Sequence, residues 1–186
     1  MKRMILIILG LASLTFSTSL YAQTDAELIE RALSAAPARG RDATGVIKWN
    51  ADYTYETIKE GTNTMVCFDR SGEPHQRRPF AMHCTNVGNL PREAQNRRFA
   101  DEAANNEELQ AIHRAAEEAG TRVAPEFGSV FISRNGDDAA SARSHTTIAV
   151  PGATGESLGL PEDSNQGGAW VMQAGSSYAH ILTPGS

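Results

Sequence analysis

Short strand-like segments lie on both sides of a helical middle, and this order constrains the fold more than any other feature of the chain. Strand-like patterns occupy residues 44–70, helical spacing follows over residues 90–120, and short apolar runs return between residues 130 and 182. The connections are rich in Gly, Pro, Asn, Asp and Ser, the residues that turns require. Strands, then helices, then strands predict an α+β fold with a mainly antiparallel sheet.

Several of these segments carry enough pattern to be assigned individually. The predicted strands cover residues 46–49, 53–58, 64–68, 130–132, 146–150, 169–172 and 178–182. The third is apolar in succession, which predicts a strand buried on both faces. The last two are predicted to pair as a terminal hairpin, and residues 71–79 are predicted to form a loop.

An N-terminal helix and a central helical segment complete the predicted fold. Thr24 and Glu27 have the spacing of a capping box, in which each side chain satisfies a free backbone N–H group. The helical spacing that follows ends before Pro37. In the central segment, Pro91 suits a first helical turn, and Asn105 interrupts the pattern where it can cap a second helix.

The first 22 residues have the three-part layout of a secretory signal peptide. Lys2 and Arg3 form a charged start, an apolar run covers residues 4–14, and small residues lead to Ala22. The apolar run is too short to span a bilayer, which takes about 20 residues. We therefore expect cleavage after Ala22 and a single mature domain over residues 23–186. The mature protein is expected to be soluble and extracytoplasmic, either periplasmic or secreted.

The chain is acidic, and loss of the signal segment makes it more so. Its net charge of −5 includes Lys2 and Arg3, which the predicted cleavage removes. Proteins that bind nucleic acid carry basic patches that neutralise phosphates, so nucleic acid is not an expected partner. The basic pairs at residues 77–78 and 97–98 are interpreted as solvated surface arginines. No integral membrane segment is expected after signal removal, and the partner is otherwise unknown.

Cys67 and Cys84 are the only two cysteines. In an oxidising compartment an isolated pair most often forms a disulfide, so we predict a Cys67–Cys84 bond. Closing a loop of this size stabilises a fold by about 3 kcal/mol in the chain-entropy model. The alternative is a metal-binding or catalytic thiol pair, which the absence of CxxC spacing disfavours.

A GxSxG pattern at residues 155–159 places Ser157 where the nucleophile of a hydrolase would stand. Asp163 and His180 follow in the chain order of a Ser, Asp, His triad. A nucleophile elbow needs a strand that runs directly into a helix, whereas Pro161 and a polar, Gly-rich stretch follow here. An ordinary turn is therefore the favoured interpretation of this pattern.

The five histidines are His75, His83, His113, His145 and His180. None has the HxxxH or HxH spacing of a ready chelate, so no metal and no cofactor are expected. His145 and His180 both lie in predicted C-terminal strands, where they can meet in space. Together with Asp163 or Glu162 they are candidates for acid–base work or metal binding. The alternative is that each histidine orders a turn.

Five aromatic residues are candidates for a sugar-binding face: Trp49, Tyr53, Tyr55, Trp170 and Tyr178. An aromatic content of 6% is unexceptional, so core packing is the favoured interpretation.

The C-terminal stretch VPGATGESLGLPEDSNQGGAWVMQAGSSYAHILTP resembles the tails of a group of uncharacterised secreted bacterial proteins. Those tails read VP-ATAES-GLP, then a Gly-rich turn, W-M, G-T, AHIM and a final proline. The N-terminal helix, residues 42–44 and the two cysteines are also similar. Ser157 and His180 fit the pattern, whereas the position of Gly155 is usually alanine. The resemblance implies secretion and a common fold, and it implies no reaction.

Two classes of function therefore remain open. We favour a non-enzymatic binding or accessory protein. The alternative is a small extracytoplasmic hydrolase or metal-dependent enzyme that uses His145, His180 and nearby acids. An enzyme would place His180 in one cleft with Ser157 or Asp163, whereas a binding module would use aromatic and loop residues.

Overall fold

The computed structural model describes residues 24–183, which lack the predicted signal segment and its cleavage site. The helices are α1 (Asp25–Leu33), α2 (Leu90–Glu102), α3 (Asn106–Glu118) and α4 (Gly155–Leu158). The strands are β1 (Gly45–Trp49), β2 (Tyr55–Lys59), β3 (Met65–Asp69), β4 (Phe80–Asn86), β5 (Val130–Gly136), β6 (Arg143–Ala149), β7 (Trp170–Met172) and β8 (His180–Leu182).

All eight strands belong to one sheet, in the order β2-β1-β3-β4-β5-β6-β8-β7. Of the seven neighbouring strand pairs among residues 24–183, the β1–β3 pair is parallel and the other six are antiparallel. The predicted α+β fold with a mainly antiparallel sheet is thus confirmed, and so is the terminal hairpin of β7 and β8. Among residues 24–183, no helix is long and apolar enough to cross a membrane.

Strand β4 is central to the sheet and is absent from the sequence-based prediction. It pairs with β3 on one side and β5 on the other, and six of its seven residues are buried. Burial on both faces removes the polar–apolar alternation by which an isolated strand is recognised. His83 and Thr85 lie within this buried strand, and their polarity disguises it further.

Helix α1 covers one face of the sheet. Its capping box is present as predicted: the Thr24 hydroxyl accepts from the Glu27 N–H, and the Glu27 carboxylate accepts from the Thr24 N–H. Beneath the helix lies an apolar cluster that includes Ala32, Val46 and Met82. Cys67 and Cys84 belong to this cluster, lie directly opposite each other on β3 and β4, and form the predicted disulfide.

Helix α2 lies over the opposite face and buries charge. Leu90 packs with Ile47, Val66 and Phe68, but few other positions of the helix are apolar. Arg92 and Glu93 are only 1% and 2% exposed. Arg97 is 9% exposed, so its interpretation as a solvated surface residue is wrong. Arg97 can be buried because its guanidinium stacks on the rings of Trp49 and Phe68. It also forms ion pairs with the carboxylates of Glu73 and Glu93.

Candidate functional site

A cavity of about 340 Å³ lies between α2 and the sheet face formed by β4, β5, β6 and β8. We call it the central cavity. Helix α2 contributes Arg92, Glu93 and Asn96, and the chain after β3 contributes Arg70. The strands contribute His83, Phe131, Ser133, Asn135, His145, Thr147, Ala149 and His180, and the connecting segments contribute Pro125, Tyr178 and Ala179.

Strand register explains why three histidines line this cavity. Ser133 on β5 lies opposite His83 on one side and opposite His145 on the other. Directly opposed residues of a sheet share a face, so these three side chains form a row. His180 lies opposite Ala149, which is four residues after His145 and therefore on the same face. His145 and His180 thus line one cavity, with His145 exposed at its mouth and His83 buried.

The other two candidate catalytic residues do not line this cavity. Ser157 lies in α4, where its hydroxyl donates to the Thr154 carbonyl and accepts from the Thr154 N–H, each at 2.9 Å. This is the arrangement that the turn interpretation predicts. The Asp163 carboxylate accepts from the backbone and side-chain amides of Asn165. The order of Ser157, Asp163 and His180 along the chain suggested a triad. In the structure, Ser157 and Asp163 each make local hydrogen bonds, and neither lines the cavity that His180 lines.

One hydrogen bond determines the tautomer of His180. Its Nδ1 lies 2.8 Å from the carbonyl oxygen of Tyr178. Because a carbonyl oxygen can only accept, Nδ1 must carry the proton when the ring is neutral. Nε2 then has an unprotonated lone pair, which can accept a hydrogen bond or a proton.

His83 is an uncharged imidazole at neutral pH. It stacks on Phe68 with ring centroids 5.3 Å apart, and it meets the edge of Phe131. Burial lowers the pKa of His83 to about 4; Arg70 and Arg97 add to this effect, and Glu93 opposes it. Its Nε2 is buried and has no hydrogen-bond partner among residues 24–183.

Arg92 is a buried cation without a carboxylate partner. Its Nη1 donates to the carbonyl of Val123, and its guanidinium lies 5.1 Å from the centre of the Tyr178 ring. Within residues 24–183, Nη2 has no hydrogen-bond partner and no carboxylate lies within 4.0 Å of the guanidinium. Burial lowers the pKa of Arg92, because the charged form is desolvated, and Tyr178, Glu93 and Glu117 oppose this shift.

The remaining charges around the cavity form a connected network. Glu73 bonds Arg70 at 2.8 Å and Arg97 at 2.6 Å, and Arg97 also bonds Glu93 at 3.2 Å. Burial raises the pKa of Glu93, but the guanidiniums of Arg70 and Arg97 and the hydrogen bond from Arg97 lower it by more, so that Glu93 is ionised. Glu73 and Glu93 thus balance Arg70 and Arg97, and Glu117 and Arg122 near Arg92 add one charge of each sign, so that the charge of Arg92 is not balanced. One positive charge is left over.

The sequence-based search missed the charged half of this site, which consists of Arg70, Arg92 and Glu93. The composition of α2 was the signal that could have revealed it. A helix that covers a sheet without a continuous apolar stripe must bury some of its polar residues.

Within the described part of the chain, no group of three His, Cys, Asp or Glu side chains is arranged to hold a metal ion. The expectation of no metal and no cofactor stays a prediction.

The chain matches no protein-family model, no curated protein and no solved structure.

Proposed function

We propose that the protein binds a small anionic molecule, a carboxylate or a phosphate, in the central cavity. The observation that carries this proposal is Arg92, which is buried at the cavity wall with neither a carboxylate partner nor an acceptor for Nη2 in residues 24–183. Arg70 lines the same cavity and adds a second guanidinium. Arginine suits this task because its planar donors match the geometry of carboxylates and phosphates.

The energetics of Arg92 favour a ligand rather than a purely structural role. Burying a cation costs several kcal/mol unless an anion and hydrogen bonds compensate it. The stacked Tyr178 ring and one backbone carbonyl compensate only in part. Such local conflicts with stability are typical of functional sites. An anion bound in the cavity would supply the missing charge.

Calorimetric titration of the purified protein with acetate, glucuronate and inorganic phosphate tests the proposal. We expect at least one anion to bind, and Arg92→Gln to weaken that binding by tenfold or more, because one charge-assisted contact is lost. Arg98→Gln is the matched control, since Arg98 lies on the same helix, is 50% exposed, and within residues 24–183 forms its one ion pair with Glu102. Equal affinities for the wild type and Arg92→Gln would overturn the proposal.

A second function, acid–base catalysis, is favoured by the geometry of His180. The Tyr178 carbonyl orients the ring and leaves Nε2 as the basic nitrogen, while His145 lines the same cavity. A histidine held in this way is suited to remove a proton from a bound substrate or water. Hydrolysis of p-nitrophenyl acetate by the wild type and by His180→Gln separates the two functions. Activity that is lost in the variant favours a hydrolase, and equal rates close to that of buffer favour a binding protein.

We further propose that the protein works outside the cytoplasm, in the periplasm or as a secreted protein. The signal-peptide layout predicts export, although that segment lies outside the described residues. The Cys67–Cys84 disulfide supports this location because such bonds persist in oxidising compartments. The intact mass of the protein recovered from outside the cytoplasm should correspond to a chain that begins at Gln23. A mass that retains the first 22 residues would contradict export by cleavage.

A further inference from the structure

We infer that the ligand of the central cavity is a hydroxylated monocarboxylate of monosaccharide size, that is, a sugar acid. This inference rests on the anion-binding function proposed above and specifies the class of anion. Three properties of the cavity carry it: its charge, the side chains on its strand wall and its size.

The charge of the cavity selects a monoanion. Glu73 and Glu93 balance Arg70 and Arg97, Glu117 and Arg122 near Arg92 balance each other, and His83 is uncharged, which leaves the charge of Arg92. The cavity therefore has one positive charge to offer. A carboxylate neutralises that charge, whereas a phosphate dianion would bring a surplus negative charge close to the buried carboxylate of Glu93.

The strand wall of the cavity offers uncharged hydrogen-bonding groups. Ser133 and Asn135 on β5 and Thr147 on β6 line the cavity. No side-chain hydrogen bond satisfies any of these three within residues 24–183, although they are only partly exposed. A hydroxyl or an amide can both donate and accept. The hydroxyl groups of a sugar have the same double capacity, and an apolar acid would leave these groups unpaired.

Aromatic rings and the size of the site fit the rest of such a ligand. Phe131 and Tyr178 line the cavity and offer apolar surface to the carbon skeleton of a sugar ring. The volume of about 340 Å³ is near the lower end of the range for small-molecule sites. It suits one monosaccharide rather than a polymer or a long-chain acid.

Calorimetric titration with three probes of similar size tests the inference. Glucuronate has both the carboxylate and the hydroxyls, glucose lacks the carboxylate, and cyclohexanecarboxylate lacks the hydroxyls. We expect glucuronate to bind at least tenfold more tightly than either of the others. The double variant Ser133→Ala, Thr147→Val should lose most of the preference for glucuronate over cyclohexanecarboxylate. Thr146→Val is the matched control, because Thr146 lies opposite Ile132 on the other face of the sheet.

The possible failures of the two proposals can be told apart. If cyclohexanecarboxylate binds as tightly as glucuronate, or if phosphate is the only anion that binds, the sugar-acid inference is overturned and anion binding stands. If glucose binds as tightly as glucuronate, the carboxylate is irrelevant and both proposals are overturned. The absence of binding by any probe also overturns both. A preference for glucuronate that the double variant retains would show that Ser133 and Thr147 do not select the ligand.

Discussion

Among the charged side chains of α2 that can be substituted, Glu93 should contribute most to the stability of the fold. Its carboxylate is 2% exposed, bonds Arg97 at 3.2 Å and accepts from Asn96 at 3.4 Å. In Glu93→Gln the partly buried guanidinium of Arg70 and the buried one of Arg97 keep Glu73 as their ion-pair partner within residues 24–183. Removing one member of a buried ion pair costs about 3–5 kcal/mol. Because Glu73 still pairs with both arginines, we expect about 3 kcal/mol, the lower end of that range.

Urea unfolding at pH 7 measures this loss, with Glu102→Gln as the matched control. Glu102 is on the same helix and 54% exposed, and its nearest cationic contact is Arg98 at 3.9 Å, so the control should cost less than about 1 kcal/mol. The pKa of Glu93 in the folded protein is below its ordinary value, so ionised Glu93 stabilises the fold. Its contribution to the free energy of unfolding is complete at a pH above the unfolded-state pKa, and it is lost as the pH falls through the folded-state pKa. The gap between wild type and Glu93→Gln should therefore narrow in acid. Equal costs for the two variants at pH 7 would refute the buried network.

Three further predictions follow from individual contacts. His83 has a pKa of about 4 in the folded protein against about 6.5 in the unfolded chain, so protonation below pH 6.5 favours unfolding. The free energy of unfolding of the wild type should therefore fall by about 2 kcal/mol more than that of His83→Phe between pH 7 and pH 4.5. Identical pH profiles of the two proteins in urea unfolding would contradict this. Cys84→Ser should lower the free energy of unfolding by about 3 kcal/mol relative to the oxidised protein, and free thiols in the unreduced wild type would exclude the bond. Ser157→Ala should cost about 1 kcal/mol through the lost bonds to Thr154, without affecting ligand binding; weaker anion binding in this variant would contradict a purely structural role.

Local sequence patterns predicted the elements that are stabilised by residues close to them along the chain. The capping box of Thr24 and Glu27 needs only four consecutive residues, and the cap at Asn105 accepts from Glu108 in the same way. The hairpin of β7 and β8 was predicted from two apolar runs and a turn. The disulfide required only that two cysteines in an oxidising compartment have no other partner.

The tertiary structure alone decided the environment of each charged and polar side chain. Arg97 is indistinguishable from exposed Arg98 in the sequence, and only the carboxylates of Glu73 and Glu93 allow it to be buried. His83 lies in a strand that was not predicted, and its neighbour Ser133 comes from a strand about 50 residues later. A pKa, an unpaired guanidinium and a cavity all depend on such long-range pairings, because desolvation and Coulomb energy are set by what surrounds a group in space. Local sequence patterns therefore predicted most helices and strands but not the buried β4, and the packing of α2 against β4, β5, β6 and β8 determined which residues make a site.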